Sequence, residues 1–237
     1  MALPFFYKKD IAAVDSIIVL DEDTSKHVVQ VLRMENQEKI KITDGQGSIY
    51  ICEITDNHRK RCTVKILEKK STKDQRAKIS IAISPVKNNA RLEWFLEKAT
   101  EIGVREIVPL ICERTEKQQL KMERLQGILI SAMLQSQQAW LPVLQEAYKY
   151  VDYVKMTGED GSLQKFIAHC KEDKKTALST IPPSNKAVIL IGPEGDFTSK
   201  EIALALEASF EPVSLGDTRL RTETAGMVAA VLLTINK

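Results

Sequence analysis

The sequence of 237 residues has little of what would tie it to a membrane, a metal or an oxidising compartment. Its four cysteines, Cys52, Cys62, Cys112 and Cys170, form no CxxC pair and are too scattered for a disulfide framework, so they are expected to be reduced core residues. Three histidines, His27, His58 and His169, stand equally far apart, and no metal-ligand spacing can be written for them. The longest nearly apolar stretch, Ala225 to Ile235, is about half the ~20 residues that span a bilayer. The opening MALPFFYKKD carries no signal-peptide pattern, and a cytoplasmic protein is expected. GxGxxG and GxxxxGK[ST] are both missing, which removes the main support for Rossmann-type dinucleotide binding and for a phosphate-cradling loop; GxSxG is missing too.

What is present describes a globular chain: 43% hydrophobic residues, enough for a sizeable core, and 28% charged ones. The net charge of +2 says nothing about nucleic acid by itself, but its distribution is uneven. Residues 1–57 carry 6 basic and 10 acidic side chains, residues 58–78 carry 9 and 2, and the remainder carries 19 and 20. The basic stretch HRKRCTVKILEKKSTKDQRAK alternates Cys62, Val64 and Ile66 with Arg61, Thr63 and Lys65, as a half-buried strand does, and loses its apolar residues after Leu67. It reads as a strand running into a linker, either a solvated connector or a phosphate-binding surface.

Ahead of this stretch the period is two. Strands are expected at Ile17–Leu20, Lys39–Thr43 and Ile49–Ile54, with the turn Asp44-Gly45-Gln46-Gly47 between the last two. One helix interrupts them, capped by Thr24 or Ser25, with Val28, Val31 and Leu32 on one face. His27 and Arg33 lie where they could reach a ligand; a helical histidine with a satisfied ring is the other reading of His27. Beyond the stretch, short apolar runs alternate with amphipathic helices, the signature of a mostly parallel α/β sheet covered on both faces. Strands are expected at Ile79–Ser84, Ile107–Ile111, Ala177–Ser179, Ala187–Ile191 and Pro212–Leu215. Helices are expected from Arg91 to a C-cap at Gly103, from Met122 to Ala139, from Leu163 to Cys170, and over SKEIALALEAS behind a Thr198/Glu201 capping box. Thr222 is placed to cap a last apolar helix ending near Asn236.

Two strands end in unusual loops. Ile189–Ile191 runs into GPEGDF, and Val213–Leu215 runs into GDTRLRTETA, at the carboxyl ends of strands where open α/β sheets bind ligands. Gly192, Gly195 and Gly216 permit positive φ or close approach of backbone to a flat ligand, or are plain turn glycines. The second loop delivers Arg221, Thr222 and Glu223 to a helix N-terminus suited to an anionic group; a surface ion pair is the other reading of Arg221.

GPEGDF followed by LGDTRLRTETA closely resembles the two cofactor loops of the RsmE family, bacterial small-subunit ribosomal RNA uridine-N3 methyltransferases of the SPOUT superfamily. HVVQVLRM is similar to a segment of that family's PUA-like β domain, and KNNARLEWFLEKATEIGVREIVPLICER to the first strand, helix and strand of its catalytic domain. The resemblance implies a PUA-like RNA-binding domain over residues 1–72 and a trefoil-knotted SPOUT domain over residues 73–237, active as a homodimer on ribosomal RNA within the small subunit. It implies that S-adenosylmethionine lies among Ile191, Gly192, Pro193, Glu194, Gly195, Leu215, Gly216, Leu220, Arg221, Thr222 and Ala225. It makes Arg221 the leading catalytic candidate, with Thr222 and Glu223 beside it. Lys87, Arg91, Lys98 and Glu101 match family positions on the RNA-facing side, and Arg33, Arg59, Lys69, Lys70, Lys73 and Arg76 supply further positive charge for RNA. The sequence departs from the family where a motif like EQSGR is usual, reading Gln135-Ser136-Gln137-Gln138-Ala139-Trp140 instead, and it has no arginine just after the initiator. Loss of a uridine N3 proton puts negative charge on the flanking carbonyls, which a guanidinium stabilises; Glu223 or water is the proton acceptor. The same loops also suit a SPOUT enzyme for another RNA nucleotide, or a non-catalytic ribosome-assembly factor with a vestigial cofactor fold.

Overall fold

The computed structural model of the protein describes residues 3–11, 16–116, 118–172, 174–182 and 184–235. They form two compact units, one within residues 1–75 and 133–141, the other within 76–132 and 142–237.

The first unit is a five-stranded sheet. Strands β1 (Phe5–Tyr7), β2 (Ile17–Val19), β3 (Lys39–Thr43), β4 (Ser48–Asp56) and β5 (Thr63–Ser71) lie in the order β1-β3-β4-β5-β2, with β1 parallel to β3 and the other pairs antiparallel. Period-two alternation sends Ile40, Ile42, Tyr50, Cys52, Ile54 and Val64 inward onto Phe6, Ile18 and Val28. The sheet outlasts its apolar pattern: β5 continues past Leu67 to Ser71, because main-chain pairing with β4 as far as Ser48–Ser71 carries it where side-chain burial does not. The strand therefore runs four residues into the expected linker, which is left with residues 72–77, and the ammonium of Lys69 stands 5.3 Å from the centroid of the Tyr50 ring across the pair.

The inserted helix differs from its expectation. Asp21, not Thr24 or Ser25, caps α1 (Glu22–Lys26), its carboxylate accepting the Thr24 N–H at 2.8 Å. The chain then widens into a π-type turn, His27–Val31, whose longer repeat breaks the expected stripe: Val28 is buried, while Val31 and Leu32 are exposed. His27 is exposed, and its ring meets Phe6 edge-on at 5.8 Å.

The β3–β4 turn shows what became of the divergent Gln135–Trp140 segment. Gly47 has φ +92°, donates its N–H to the Ala139 carbonyl at 2.9 Å, and would place a Cβ 2.2 Å from a Trp140 ring atom, so only glycine fits under that indole. Trp140 thus has a packing role on the turn.

The second unit is an eight-stranded sheet with helices on both faces. Strands β6 (Lys78–Ile83), β7 (Glu106–Ile111), β8 (Val143–Leu144), β9 (Tyr148–Lys149), β10 (Gln164–Ala168), β11 (Thr176–Ala177), β12 (Lys186–Ile191) and β13 (Glu211–Ser214) make the order β11-β13-β10-β12-β6-β7-β8, with β9 also on β7 and every pair parallel. Alternation splits the strand residues between two cores. Ala82, Val108, Val188 and Leu190 face α4 (Tyr150–Gly158) and α5 (Ser199–Glu207). On the other face, the place where a Cβ on Gly226 would fall lies 2.7 Å from both Ile83 and Phe95, so α6 (Thr222–Thr234) presses on β6 and on α2 (Asn89–Ile102).

Several local signals hold. Gly103 ends α2 with φ +89°, and Thr198 with Glu201 forms the full capping box of α5. Others do not. The predicted helix from Leu163 to Cys170 is strand β10, since pairing with both β12 and β13 makes it a central strand whose apolar run cannot be told from a helix by periodicity. Helix α4 was not foreseen; α3 (Met122–Gln135) stops before Gln137, whose φ is +57°; the strand expected at Ala177–Ser179 is only Thr176–Ala177, followed by a 3-10 turn. Cys52, Cys62 and Cys112 are buried as expected, but Cys170 is exposed because it follows β10 out of the sheet. Asn236, where the last helix was expected to end, lies outside the described residues.

Candidate functional site

The carboxyl ends of β10, β12 and β13 open onto two adjoining cavities of about 330 and 350 Å³. One is walled by Ser214 to Leu220, the other by Ile191 to Glu194 with Arg219 to Thr222; both share Ala168, Cys170, Arg219, Leu220 and Ala225. Volumes of this size suit small organic ligands, and the position at the ends of parallel strands is the usual one for α/β ligand sites. Of the eleven residues expected around a cofactor, all but Gly195 line one cavity or the other.

The three glycines serve different ends. Gly216 adopts φ +136°, which no other residue takes without strain. Gly192 instead admits a ring, since a Cβ there would lie 3.1 Å from Phe197, which is fully buried. Gly195 admits Arg114.

Side chains fasten the loops to each other. Thr222 is not the cap of α6 but its first residue; 6% exposed, it donates its hydroxyl to the Gly192 carbonyl at 3.0 Å, joining the two loops directly. Asp196, with φ +63°, accepts the Cys170 N–H at 3.0 Å, and Lys175 donates to the His169 carbonyl at 2.7 Å. Ala168, His169, Cys170 and Lys175 also line the first cavity; the first three belong to the Leu163–Cys170 segment, whose pattern predicts a helix and so gives no reason to expect a ligand-facing strand end.

The three catalytic candidates part company. Arg221 is exposed at the edge of the second cavity, where its guanidinium is accessible. Glu223 lines neither cavity: it is 7% exposed, its Oε1 lies 3.6 Å from the Arg91 Nε, and its Oε2 has no hydrogen-bond partner among the described residues. It stands in the first turn of α6.

The basic candidates fall in both units. In the first, Arg33, Arg59, Lys69, Lys70 and Lys73 are exposed, with Lys70 3.4 Å from Glu68. Arg33 has φ +55°. In the second, Arg76 is half-buried, Arg91 is paired with Glu223, and the Lys87 ammonium lies 3.0 Å from Glu116. Lys98 is held between Glu97 and Glu101, at 2.7 and 2.9 Å. Among the described residues no cluster of histidine, cysteine or carboxylate could hold a metal, and no helix is long and apolar enough to cross a membrane.

Comparison with known proteins places the chain in a family. Residues 57–234 match the model of an RNA methyltransferase domain, and residues 20–67 that of an RNA methyltransferase PUA domain. A crystal structure of a probable rRNA-methyltransferase from Porphyromonas gingivalis superposes with a TM-score of 0.87 at 40% identity, covering 96% of this chain and 95% of its own. The Ribosomal RNA small subunit methyltransferase E of Neisseria gonorrhoeae, crystallised bound to S-adenosyl methionine, gives 0.86 at 30%, covering 97% and 96%. The curated protein of that name from Rickettsia conorii is 28% identical over 221 residues, 92% of this chain and 89% of its own. The chain belongs to the RsmE family of RNA methyltransferases, with a SPOUT-type domain behind a PUA-like one.

Proposed function

We propose that this protein methylates N3 of a uridine in small-subunit ribosomal RNA, using S-adenosylmethionine held in the paired cavities of the second unit. The observation that carries the reading is the joining of the two loops across Thr222 and Gly192 around cavities lined by ten of the eleven expected cofactor residues. The cofactor-bound Neisseria relative, aligned over nearly the whole chain, supports it. The residues present suit the group: Gly192–Glu194 and Leu215–Leu220 line the cavities, with a left-handed glycine at 216 and, at 192, a glycine against the Phe197 ring. When bound, S-adenosylmethionine supplies an electrophilic methyl on a sulfonium, so the protein needs to position rather than to activate by metal.

In this reading Arg221, at the cavity edge, holds its guanidinium toward the uridine carbonyls on which negative charge develops as N3 loses its proton. Thr222 fixes the backbone that aims Arg221. Glu223, engaged with Arg91 and away from the cavities, supports the helix start, and the N3 proton leaves to water. The first unit holds RNA through Lys69 and Lys70 of β5 with Arg33, Arg59 and Lys73, and the second unit contributes Arg76, Lys87 and Arg91. An enzyme with ribosomal substrates works in the cytoplasm. A homodimer forms through Val228, Val231 and Leu232, which α6 leaves half-exposed while Gly226, Ala229 and Ala230 pack inside. Light scattering with cofactor present tests this, and a monomer at micromolar concentration overturns it.

The test of the function is mass spectrometry of ribosomal RNA nucleosides from cells with and without the gene. Loss of 3-methyluridine from small-subunit RNA is expected. Loss of a different methylated nucleoside moves the enzyme to another substrate, and no change with no cofactor binding makes it an assembly factor.

A further inference from the structure

Gly195 is the expected cofactor residue that lines neither cavity, and its backbone is not left-handed. What it touches lies on the outer side of the loop. Arg114 donates from Nη1 to the Gly195 carbonyl at 2.6 Å, and a Cβ on Gly195 would stand 3.3 Å from Arg114 Cδ and 3.6 Å from its Cβ. The missing side chain at 195 makes room for the arginine stem.

Arg114 springs from a fixed base. Its neighbour Glu113 donates its N–H at 2.8 Å to Oε1 of Glu201, a carboxylate 6% exposed. The other oxygen of Glu201 accepts the Thr198 N–H at 2.8 Å and the Thr198 hydroxyl at 3.0 Å. On its other side, the Thr115 hydroxyl pairs with that of Ser84 at 2.8 Å and accepts the Cys112 N–H at 2.8 Å. The β7–α3 loop is thus tied to the end of β6 by Thr115 and to the far end of GPEGDFT by Glu201, with Arg114 reaching the middle. Glu194 is held from outside as well, accepting the Lys87 N–H at 3.1 Å.

We propose that Arg114 is a positioning residue for the cofactor loop: its bond to the Gly195 carbonyl, made possible by the bare Cα of Gly195, holds the Gly192–Gly195 backbone in the shape that receives the cofactor. The proposal rests on the reading that this loop binds S-adenosylmethionine. Arg114 lines neither cavity, so it acts through the loop and contacts no reacting atom.

The experiment is a double-mutant cycle on the full chain: Arg114→Ala, Gly195→Ala and both together, with Arg114→Lys as the conservative variant. S-adenosylmethionine affinity is measured by calorimetry, hydrogen exchange of residues 192–198 without cofactor by mass spectrometry, and melting temperature alongside. Arg114→Ala should weaken cofactor binding about tenfold, the range for a lost charge-assisted bond, and raise exchange in 192–198 with melting nearly unchanged. Gly195→Ala should cost a similar factor, because its methyl displaces the arginine stem, and the double variant should be no worse than the poorer single one. Arg114→Lys should recover part of the loss. Wild-type affinity and exchange in Arg114→Ala would overturn the proposal, as would losses that multiply in the double variant. Wild-type protein that binds no S-adenosylmethionine would overturn the cofactor reading instead, and the exchange data would still decide whether Arg114 holds the loop.

Discussion

Replacing Thr222 by Val removes one hydroxyl and little else. Valine keeps the β-branched shape of a side chain that is 6% exposed, so packing around the start of α6 is preserved. What is lost is the 3.0 Å bond to the Gly192 carbonyl, an acceptor on a buried residue. Leaving a buried acceptor unsatisfied costs about 1–3 kcal/mol, more than the ~1 kcal/mol net worth of the bond when both partners can find water. If the loop stays closed, that cost appears as stability: at ~2–4 °C per kcal/mol for a unit of this size, melting falls by roughly 2–12 °C. If the loop opens instead, it appears as weakened cofactor binding, ~5-fold for 1 kcal/mol and ~150-fold for 3 kcal/mol. Thr222→Ser keeps the donor and should restore most of whichever quantity Val lost. Calorimetric titration with S-adenosylmethionine and thermal melting of the three proteins separate the outcomes. A Val variant equal to wild type in both, or a Ser variant no better than Val, would refute the idea that this hydroxyl joins the two loops.

Arg221→Ala should leave cofactor affinity within about tenfold, ~1.4 kcal/mol, and lower single-turnover methylation of ribosomal subunits by about a hundredfold to a thousandfold, with Arg221→Lys rescuing little; near-normal transfer by the Ala variant would remove Arg221 from the mechanism. Of the four thiols, Cys170 alone should react quickly with a disulfide reagent in the folded protein, and saturating S-adenosylmethionine should slow it, because Cys170 lines both cavities while Cys52, Cys62 and Cys112 are buried; an unprotected Cys170 would place the cofactor elsewhere. Burial pushes the Cys52 thiol up to about 12 and the Cys62 thiol up to about 11, above the ordinary unfolded value. Between that value and 11–12 the native state therefore holds protons the unfolded chain has released, and unfolding free energy should fall as pH rises from about 9, by up to ~1.4 kcal/mol per pH unit for each thiol. Denaturant melts from pH 8 to 11 check this, and Cys52→Ala should flatten the slope.

How much of this could be read from the sequence depended on where each constraint resides. Short-range chemistry was legible: the capping box at Thr198, the left-handed cap at Gly103 and the hairpin turn at Asp44–Gly47 each need only a few neighbouring residues. The segment Gln164–Ala168 was not, because its apolar run, Phe166-Ile167-Ala168, is too short to carry a period, and its identity comes from partners at Ala187–Ile191 and Glu211–Val213 that are distant in sequence. That one difference hides three cavity residues, Ala168, His169 and Cys170. Val31 and Leu32 were misplaced for the converse reason: local periodicity was clear, but a π-type turn altered the phase of the helix.

The glycines show why a motif reports less than a structure. GPEGDF and LGDTRLRTETA mark Gly192, Gly195 and Gly216 as alike, open to the same readings of close approach to a ligand, plain turn chemistry or the freedom of positive φ. Only Gly216 needs it. At Gly192 the constraint is the Phe197 ring, and at Gly195 it is an arginine from a loop some eighty residues earlier in the chain. The consequences of substitution therefore differ in kind. Alanine at 216 strains the backbone whatever surrounds it, since no heavy atom lies within 4 Å of its Cβ position and the cost is in φ alone. Alanine at 192 or 195 costs nothing in φ, and its penalty depends on whether Phe197 or Arg114 can give way. A fully buried aromatic ring in a core at crystal-like density cannot move far, whereas an exposed arginine can, by giving up its bond to the loop. The residue at 195 is thereby linked to loop position rather than to core packing, and the Gly192–Gly195 loop is shaped as much from outside the cavity as from within it.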